Sequence, residues 1–421
     1  LALAGSSKGG PAKVAVIASG FLGSINGSAI ANVVTTGTFT IPLMKKVGYS
    51  KEFAGSVEAT ASVGGQVLPP VMGAAAFIMA EMVGIKYSQI IVHAAIPAIL
   101  YYVGILIQVH LRAVKEGLTG IPKEDCPKAS KVIKECGHLI IPIIILIYML
   151  IFTGRTVIYS AVVSIIATIV VSMFRKNTRM SFKDILDALA AGAKGTVSVA
   201  MACAIVGIII AVTSITGFGL NMANAIILLG DKSIIATLIF TMITCMILGM
   251  GLPSIPAYII TTTIAAPALV QLGIPEIVSH LFVFYFAMFA NLTPPVALAA
   301  FAAAGLSGGD PMKTGIQSVK LALAGFIIPY MFVYNPELLL INTTLPVALR
   351  IAVTSTIGVF MIGIAVEGYV RKKVPMILRA ITLVGALLLI TADVKQDLIG
   401  LVILGILFIQ QSGKLKLKAG N

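Results

Sequence analysis

Val67-Leu68-Pro69-Pro70-Val71 and Leu292-Thr293-Pro294-Pro295-Val296 are one phrase written twice, each inside a long uncharged stretch. A proline pair removes backbone donors and breaks a helix, so each copy leaves unpaired carbonyls in mid-segment. The match extends outward. Thr36, Thr38, Pro42, Gly48, Pro69, Pro70, Val71, Ala74 and Ala75 meet Thr261, Thr263, Pro267, Gly273, Pro294, Pro295, Val296, Ala299 and Ala300 at one offset, 294 − 69 = 225. The result is a gapless internal repeat of about 45 residues. Paired, Gly/Pro-interrupted apolar segments at matching positions of two halves point to the binding site of a secondary transporter.

The composition around the repeat requires a membrane. Of 421 residues, 58% are hydrophobic and 11% charged, and the mean hydropathy is +1.04; a soluble chain of this length must cover far more surface with charge. Uncharged runs long enough to cross about 30 Å of hydrocarbon recur: Val14 to Met44, Ala59 to Ala80, Thr156 to Phe174, Gly195 to Leu220, Ser233 to Pro275, Leu281 to Gly309 and Ile351 to Val366. They predict an all-α polytopic membrane protein with roughly eleven to thirteen crossings plus two broken hairpins. The net charge of +14 lies in short loops, at Lys45/Lys46/Lys51, Lys123 to Lys134, Arg175/Lys176/Arg179/Lys183, Arg371/Lys372/Lys373 and Lys414/Lys416/Lys418. The positive-inside rule accounts for it, and nucleic acid is excluded as a partner. Absolute orientation stays open, because the short piece Asn221 to Gly230 decides the parity of crossings. Cys126, Cys136, Cys203 and Cys245 show neither CxxC nor a histidine at ligand spacing and are read as unpaired. Leu1 is not an initiator Met, no cleavage site follows, and the chain is expected to be the later part of a longer polypeptide.

The organisation follows from the repeat. Residues 1–85 form the first transport repeat with hairpin 1, and 86–232 are connecting and scaffold helices with basic loops. Residues 233–308 form the second repeat with hairpin 2, and 309–421 are C-terminal membrane helices with a basic tail. In each repeat a Gly/Ser-rich break (Gly23 to Ser28, Gly249 to Ser254) precedes a helix. A hairpin broken at the proline pair is expected to follow. The repeats are expected to be inverted across the membrane, since Lys45, Lys46 and Lys51 flank the first helix and Gln271, Gly273 and Glu276 the second. A surface helix over Ser181 to Lys194, capped by Ser181 with Asp184 at its third position, is expected before a separate crossing from 195 to 216.

Five phrases resemble the large membrane subunit of tripartite ATP-independent periplasmic (TRAP) transporters, more narrowly the TAXI-type fused permeases. They are Gly27-Ser28-Ala29-Ile30-Ala31-Asn32, Gly64-Gly65-Gln66-Val67-Leu68-Pro69-Pro70-Val71, Gly249-Met250-Gly251-Leu252-Pro253, Ala265-Ala266-Pro267-Ala268-Leu269 and Phe289-Ala290-Asn291-Leu292-Thr293-Pro294-Pro295-Val296-Ala297-Leu298-Ala299. The resemblance spans about residues 10 to 330. It implies an elevator-type, sodium-driven importer in a prokaryotic inner membrane. A periplasmic solute-binding protein would deliver a small organic anion, and a small four-helix membrane subunit, separate or fused upstream of Leu1, would assist. By motif, sodium site 1 would use Asn26, Ser28, Gly65, Val67, Leu68 and Pro69. Sodium site 2 would use Gly249, Gly251, Ala290, Thr293 and Val296. Asn26 replaces the Ser of many relatives, and Ala290 the Gly of some. The substrate cleft would be lined by Asn32, Thr35, Thr36, Thr261, Thr262 and Asn291. Na+ is the coupling ion, no other cofactor is expected, and the remaining contact is membrane lipid.

The residues themselves favour sodium. Glu58 is the only acid between Glu52 and Glu81, and Ser233 to Pro275 and Leu281 to Gly309 contain none. Proton-coupled carriers need an intramembrane ionisable group, whereas carbonyls and hydroxyls alone hold a hard cation. Glu58 itself reads as an ion pair with a loop lysine at a hairpin base, or as a coupling residue. The four threonines either line the cleft or bond their own helices at i−4. His93, His110 and His138 lack a second ligand and are structural, and Arg155 is an interfacial anchor. No GxSxG, HExxH or paired intramembrane aspartates support an enzyme. Two related hairpins in one chain favour a carrier over a channel.

Overall fold

The computed structural model describes residues 2, 4–122, 124, 126–230, 233–389 and 393–411; Lys123 and the basic tail Lys414/Lys416/Lys418 lie outside them. The described residues form nineteen α-helices. In the first repeat these are α1 Gly10–Asn26, α2 Ala29–Lys46, α3 Lys51–Gly65 and α4 Ala75–Val83. The connecting region holds α5 Tyr87–Glu116, α6 Ala129–Cys136, α7 Ile141–Phe152, α8 Val157–Ser172, α9 Phe182–Ile215 and α10 Phe218–Leu229. The second repeat is α11 Ile234–Gly249, α12 Ser254–Gln271, α13 Glu276–Phe289 and α14 Leu298–Ser307. Then come α15 Pro311–Leu321, α16 Leu323–Tyr334, α17 Leu345–Glu367, α18 Met376–Leu388 and α19 Val394–Gln411. Among the described residues five of these helices (α5, α9, α12, α17 and α19) and the continuous run Ala129–Phe152 through α6 and α7 are long and apolar enough to cross a bilayer, and α15/α16, bent by 41°, make a seventh candidate span. That count leaves out the shorter apolar helices, such as α8, α13 and α18, and the pairs broken in mid-course, so it is not a total to set against the eleven to thirteen crossings expected.

The offset of 225 carries over into the helix boundaries: 29 + 225 = 254 and 46 + 225 = 271 for α2 and α12, and 51 + 225 = 276 for α3 and α13. Each break, however, does the opposite of what the prolines suggested. The chain reverses at the Gly/Ser break. Only Gly27 and Ser28 separate α1 from α2, and the two helices lie antiparallel, with the Asn32 amide on the Ser19 carbonyl at 2.9 Å and Ser19 Oγ on Thr36 Oγ1 at 3.1 Å. Gly27 makes the turn with φ +68°, a left-handed geometry natural to glycine, and Ser28 caps α2 through the Ala31 amide. α11 and α12 form the matching hairpin around 250–253. At the proline pairs, by contrast, the chain continues onward: α3/α4 and α13/α14 are broken crossings, and both Pro-Pro bonds are cis.

Contacts between helices set the directions. α1 runs parallel to α3, since Ser24 meets Leu68 as Ser19 meets Glu58. α14 runs antiparallel to α3: the end of α14 at Gly309 lies against Lys51 and Glu52, while Ala303 lies against Gly55. α13 is antiparallel to α16, where Phe282 and Phe286 meet Tyr330 and Phe289 meets Phe326. The two broken crossings therefore point opposite ways, and the two hairpins enter from opposite sides. Their tips meet, with Ser254 Oγ donating to the Gly27 carbonyl at 2.9 Å.

The basic clusters among the described residues gather at one face, where α1 begins. The Ile121 amide bonds the Gly5 carbonyl, Lys45 Nζ bonds the Ser307 carbonyl, Lys115 Nζ bonds the Glu367 carbonyl just before Arg371, and His138 reaches Thr178 beyond α8. By the positive-inside rule this face is cytoplasmic. Parity is settled by α10, which runs beside α12 in the same sense: Gly219 abuts the Thr263 carbonyl, and Ala223 and Ile226 pack on Ala268. Ser181 and Asp184 form the capping box, the Ser181 hydroxyl accepting from the Asp184 amide and the Asp184 carboxylate accepting from the Ser181 amide. The helix they start is one element of 34 residues, not a surface helix followed by a separate crossing. The four cysteines are free thiols.

Candidate ion and substrate site

Each hairpin tip is pressed against the broken crossing of its own repeat, and the fit depends on small residues. A Cβ on Gly65 would fall 2.6 Å from the backbone of Gly23, and one on Gly27 would fall 2.7 Å from Gly73 Cα. Ser24 ties the tip to the break: its hydroxyl donates to the Leu68 carbonyl at 2.6 Å, its oxygen lies 3.4 Å from the Val71 and Met72 amides, and its carbonyl accepts from Gly73 at 3.1 Å. Gln66 Nε2 donates to the Gly27 carbonyl at 3.2 Å, and its buried Oε1 finds no partner among the described residues. Tyr87 braces the far side of the break from α5, donating to the Pro70 and Val71 carbonyls at 2.9 and 2.5 Å.

Tip 2 repeats this pattern with fewer side chains. A Cβ on Gly249 would lie 3.0 Å from the Ala287 carbonyl and 3.2 Å from Ala290 Cβ, and one on Gly251, at φ +74°, would be in ordinary contact with Val296. Thr293 donates to the Phe289 carbonyl at 3.0 Å. The Asn291 amide group reaches the Met288 carbonyl at 3.4 Å, and the Asn291 carbonyl accepts from Ala299. Asn291 is the counterpart of Gln66 (66 + 225 = 291), so a side-chain amide lies in both breaks.

The structure thus groups Gly65, Val67, Leu68 and Pro69 against tip 1, and Gly249, Gly251, Ala290, Thr293 and Val296 at tip 2. Asn26 is exposed and Ser28 half-buried at tip 1. The six cleft residues are more scattered. Asn32 is fully buried and holds Ser19 and Ser62. Thr36 turns to Glu58. Thr35 is exposed and bonds Ala31 at i−4, and buried Thr261 bonds Ala257 at i−4. Thr262 is buried beside Tyr258. Asn291 alone of the six lies in a break. Glu58 is not an ion pair at a hairpin base: it is fully buried and is bonded by Ser19, Thr36, Thr40 and Ser62 instead of a lysine. Ser24, Gln66 and Ser254 were missed as site residues, although all three belong to the breaks that the repeat marks out.

The N-termini of α2 and α12 both open at the meeting of the tips, where orphan amides and helix dipoles favour negative charge. Among the described residues no group of three or more His, Cys, Asp or Glu side chains converges, so the donors here are carbonyls, hydroxyls and amides. Two inverted repeats whose broken crossings face hairpin tips define a polytopic membrane carrier. The chain belongs to the DctM component family of tripartite ATP-independent periplasmic transporters, whose sequence model matches residues 1–347. A putative TRAP transporter large permease of Haemophilus influenzae is 23% identical over 351 residues, 80% of this chain and 79% of that protein. The C4-dicarboxylate TRAP large permease DctM of Vibrio cholerae is 31% identical over 156 residues, 36% of this chain and 34% of that one. The sialic acid TRAP large permease SiaM of the same organism is 23% identical over 345 residues, 80% and 78% of the two chains. The protein is a multi-pass TRAP permease subunit, not an enzyme, and large permeases of this family work with a periplasmic binding protein and a small membrane subunit.

Proposed function

We propose that the chain is the permease of a sodium-driven, elevator-type importer of an organic carboxylate, supplied by a periplasmic solute-binding protein. The observation that carries this is the doubled pairing of hairpin tip with proline break. Each pairing gathers oxygen donors without a fixed anion, which suits a small monovalent cation. Sodium bound at Leu68 and Pro69 near tip 1, and at Thr293 near tip 2, draws the tips onto the breaks. The carboxylate is then held at the helix N-termini where the tips meet. The names of two relatives, C4-dicarboxylate and sialic acid permeases, both specify carboxylates. The fused TAXI arrangement and a small four-helix subunit complete the proposal.

The permease is purified with its neighbouring binding protein, whose carboxylate ligand is first found by thermal shift. Uptake into liposomes is expected only with an inward sodium gradient and with the binding protein present. Equal uptake in potassium or choline overturns sodium coupling. Full uptake without the binding protein shows a stand-alone carrier of the same fold.

A further inference from the structure

We infer that Glu58 and the hydroxyls around it form a proton-binding site inside the first repeat, separate from the sites at the breaks. The Glu58 side chain is fully buried among α1, α2 and α3. Ser19 Oγ lies 2.7 Å and Ser62 Oγ 3.2 Å from Oε1, Thr36 Oγ1 also bonds Oε1, and Thr40 Oγ1 lies 2.5 Å from Oε2. Among the described residues no salt bridge reaches Glu58, and an intramembrane carboxylate without a cation marks an ion or proton site.

Three of the four hydroxyls have a second acceptor. Ser19 can turn to Thr36 Oγ1 at 3.1 Å, Thr36 to the Asn32 carbonyl at 2.7 Å, and Thr40 to the Thr36 carbonyl at 3.0 Å. When Glu58 is ionised, its hydroxyl neighbours point their hydrogens at it. When a proton adds to Oε2, that proton is donated to Thr40 Oγ1, and Thr40 and Thr36 turn back onto their i−4 carbonyls. Both states are fully bonded without moving a heavy atom, and direct oxygen contacts admit a proton but not a metal ion. Half-buried Thr36 and Thr40 provide the path outward.

The fold does not require this cluster. At offset 225 the counterparts of Glu58, Thr40 and Ser62 are Val283, Ala265 and Ala287, whereas Thr36 keeps a hydroxyl, in Thr261. The charged and titratable groups on the packed elements are engaged or distant. Lys13 of α1 meets His110, and Lys45 of α2 meets Ser307. Lys46 and Glu52 lie at the cytoplasmic ends of α2 and α3. Tyr101 and Tyr102 of α5 donate to the Thr60 and Ala61 carbonyls. α14 carries no titratable group, and Lys313 and Lys320 are exposed on α15.

The full chain in liposomes is tested by infrared difference spectroscopy across a pH jump, in water, in D2O and with carbon-13 glutamate. A protonated-carboxyl band that shifts with both isotopes is expected. It should vanish in Glu58→Gln, persist in Glu367→Gln and move in Thr40→Val. A wild type without such a band, or a band untouched by Glu58→Gln, overturns the site. If Glu58→Gln does not fold, a band unmoved by Thr40→Val has the same force. This proposal stands apart from sodium coupling: sodium-independent uptake sinks that coupling alone, and a missing infrared band sinks this site alone.

Discussion

Gly65 shows how little room the site leaves. It touches backbone, not a flexible side chain, so Gly65→Ala must push tip 1 off its break. We expect a loss of about 1–3 kcal/mol and abolished sodium-dependent uptake, while Gly192→Ala, with nothing within 4 Å, leaves both intact. Apparent melting temperature and uptake check the pair. Ser24→Ala removes the hydroxyl from the Leu68 carbonyl and should lower stability by about 0.5–1.5 kcal/mol. Thr293→Val keeps the shape but loses an oxygen beside the second break, and apparent sodium affinity should fall with expression retained. Unchanged affinity would leave only the carbonyl as ligand. Gly65 and Thr293 were legible because the repeat doubled the signal, whereas Ser24 was passed over although it lies in the Gly/Ser break. For Glu58 the sequence left an ion pair or a coupling role open, because the i,i+4 pairs Thr36/Thr40 and Glu58/Ser62 lie on different helices and nothing in the sequence brings them together with Ser19.

Helix positions were readable, but the course of the chain through the breaks was not. A proline pair stops hydrogen bonding without dictating whether the chain reverses, and here nine residues, 66–74, carry it onward from α3 to α4. The reversal needed only Gly27 followed by Ser28, a left-handed residue next to an N-cap. That signal was present in the sequence, and the more conspicuous prolines overshadowed it. Lys45 tests how the repeats interlock: its ammonium caps the end of α14 through the Ser307 carbonyl at 2.9 Å. Lys45→Met should destabilise the protein by about 1 kcal/mol, measured as a lowered melting temperature. No change would show that the two repeats are held together elsewhere.

Across the whole molecule, composition gave membrane residence and the offset gave two-fold repetition, but orientation required the contacts that bring the basic loops to one face. At that face buried Glu367 lies 3.6 Å from half-buried Arg112 and 3.9 Å from exposed Lys115, which ties α5 to α17 where sequence offered no pairing. Everything proposed about ion and substrate depends on the two repeats being inverted, with hairpin 1 entering from the cytoplasm and hairpin 2 from the outside. The most direct test is cysteine labelling in a background freed of Cys126, Cys136, Cys203 and Cys245, using a membrane-impermeant maleimide on right-side-out and inside-out vesicles. Lys46→Cys, at the end of α2, should react only from the cytoplasmic side, and Gln271→Cys, at the matching end of α12, only from the outside. Reaction of both from the same side would contradict the inverted repeats and, with them, the elevator.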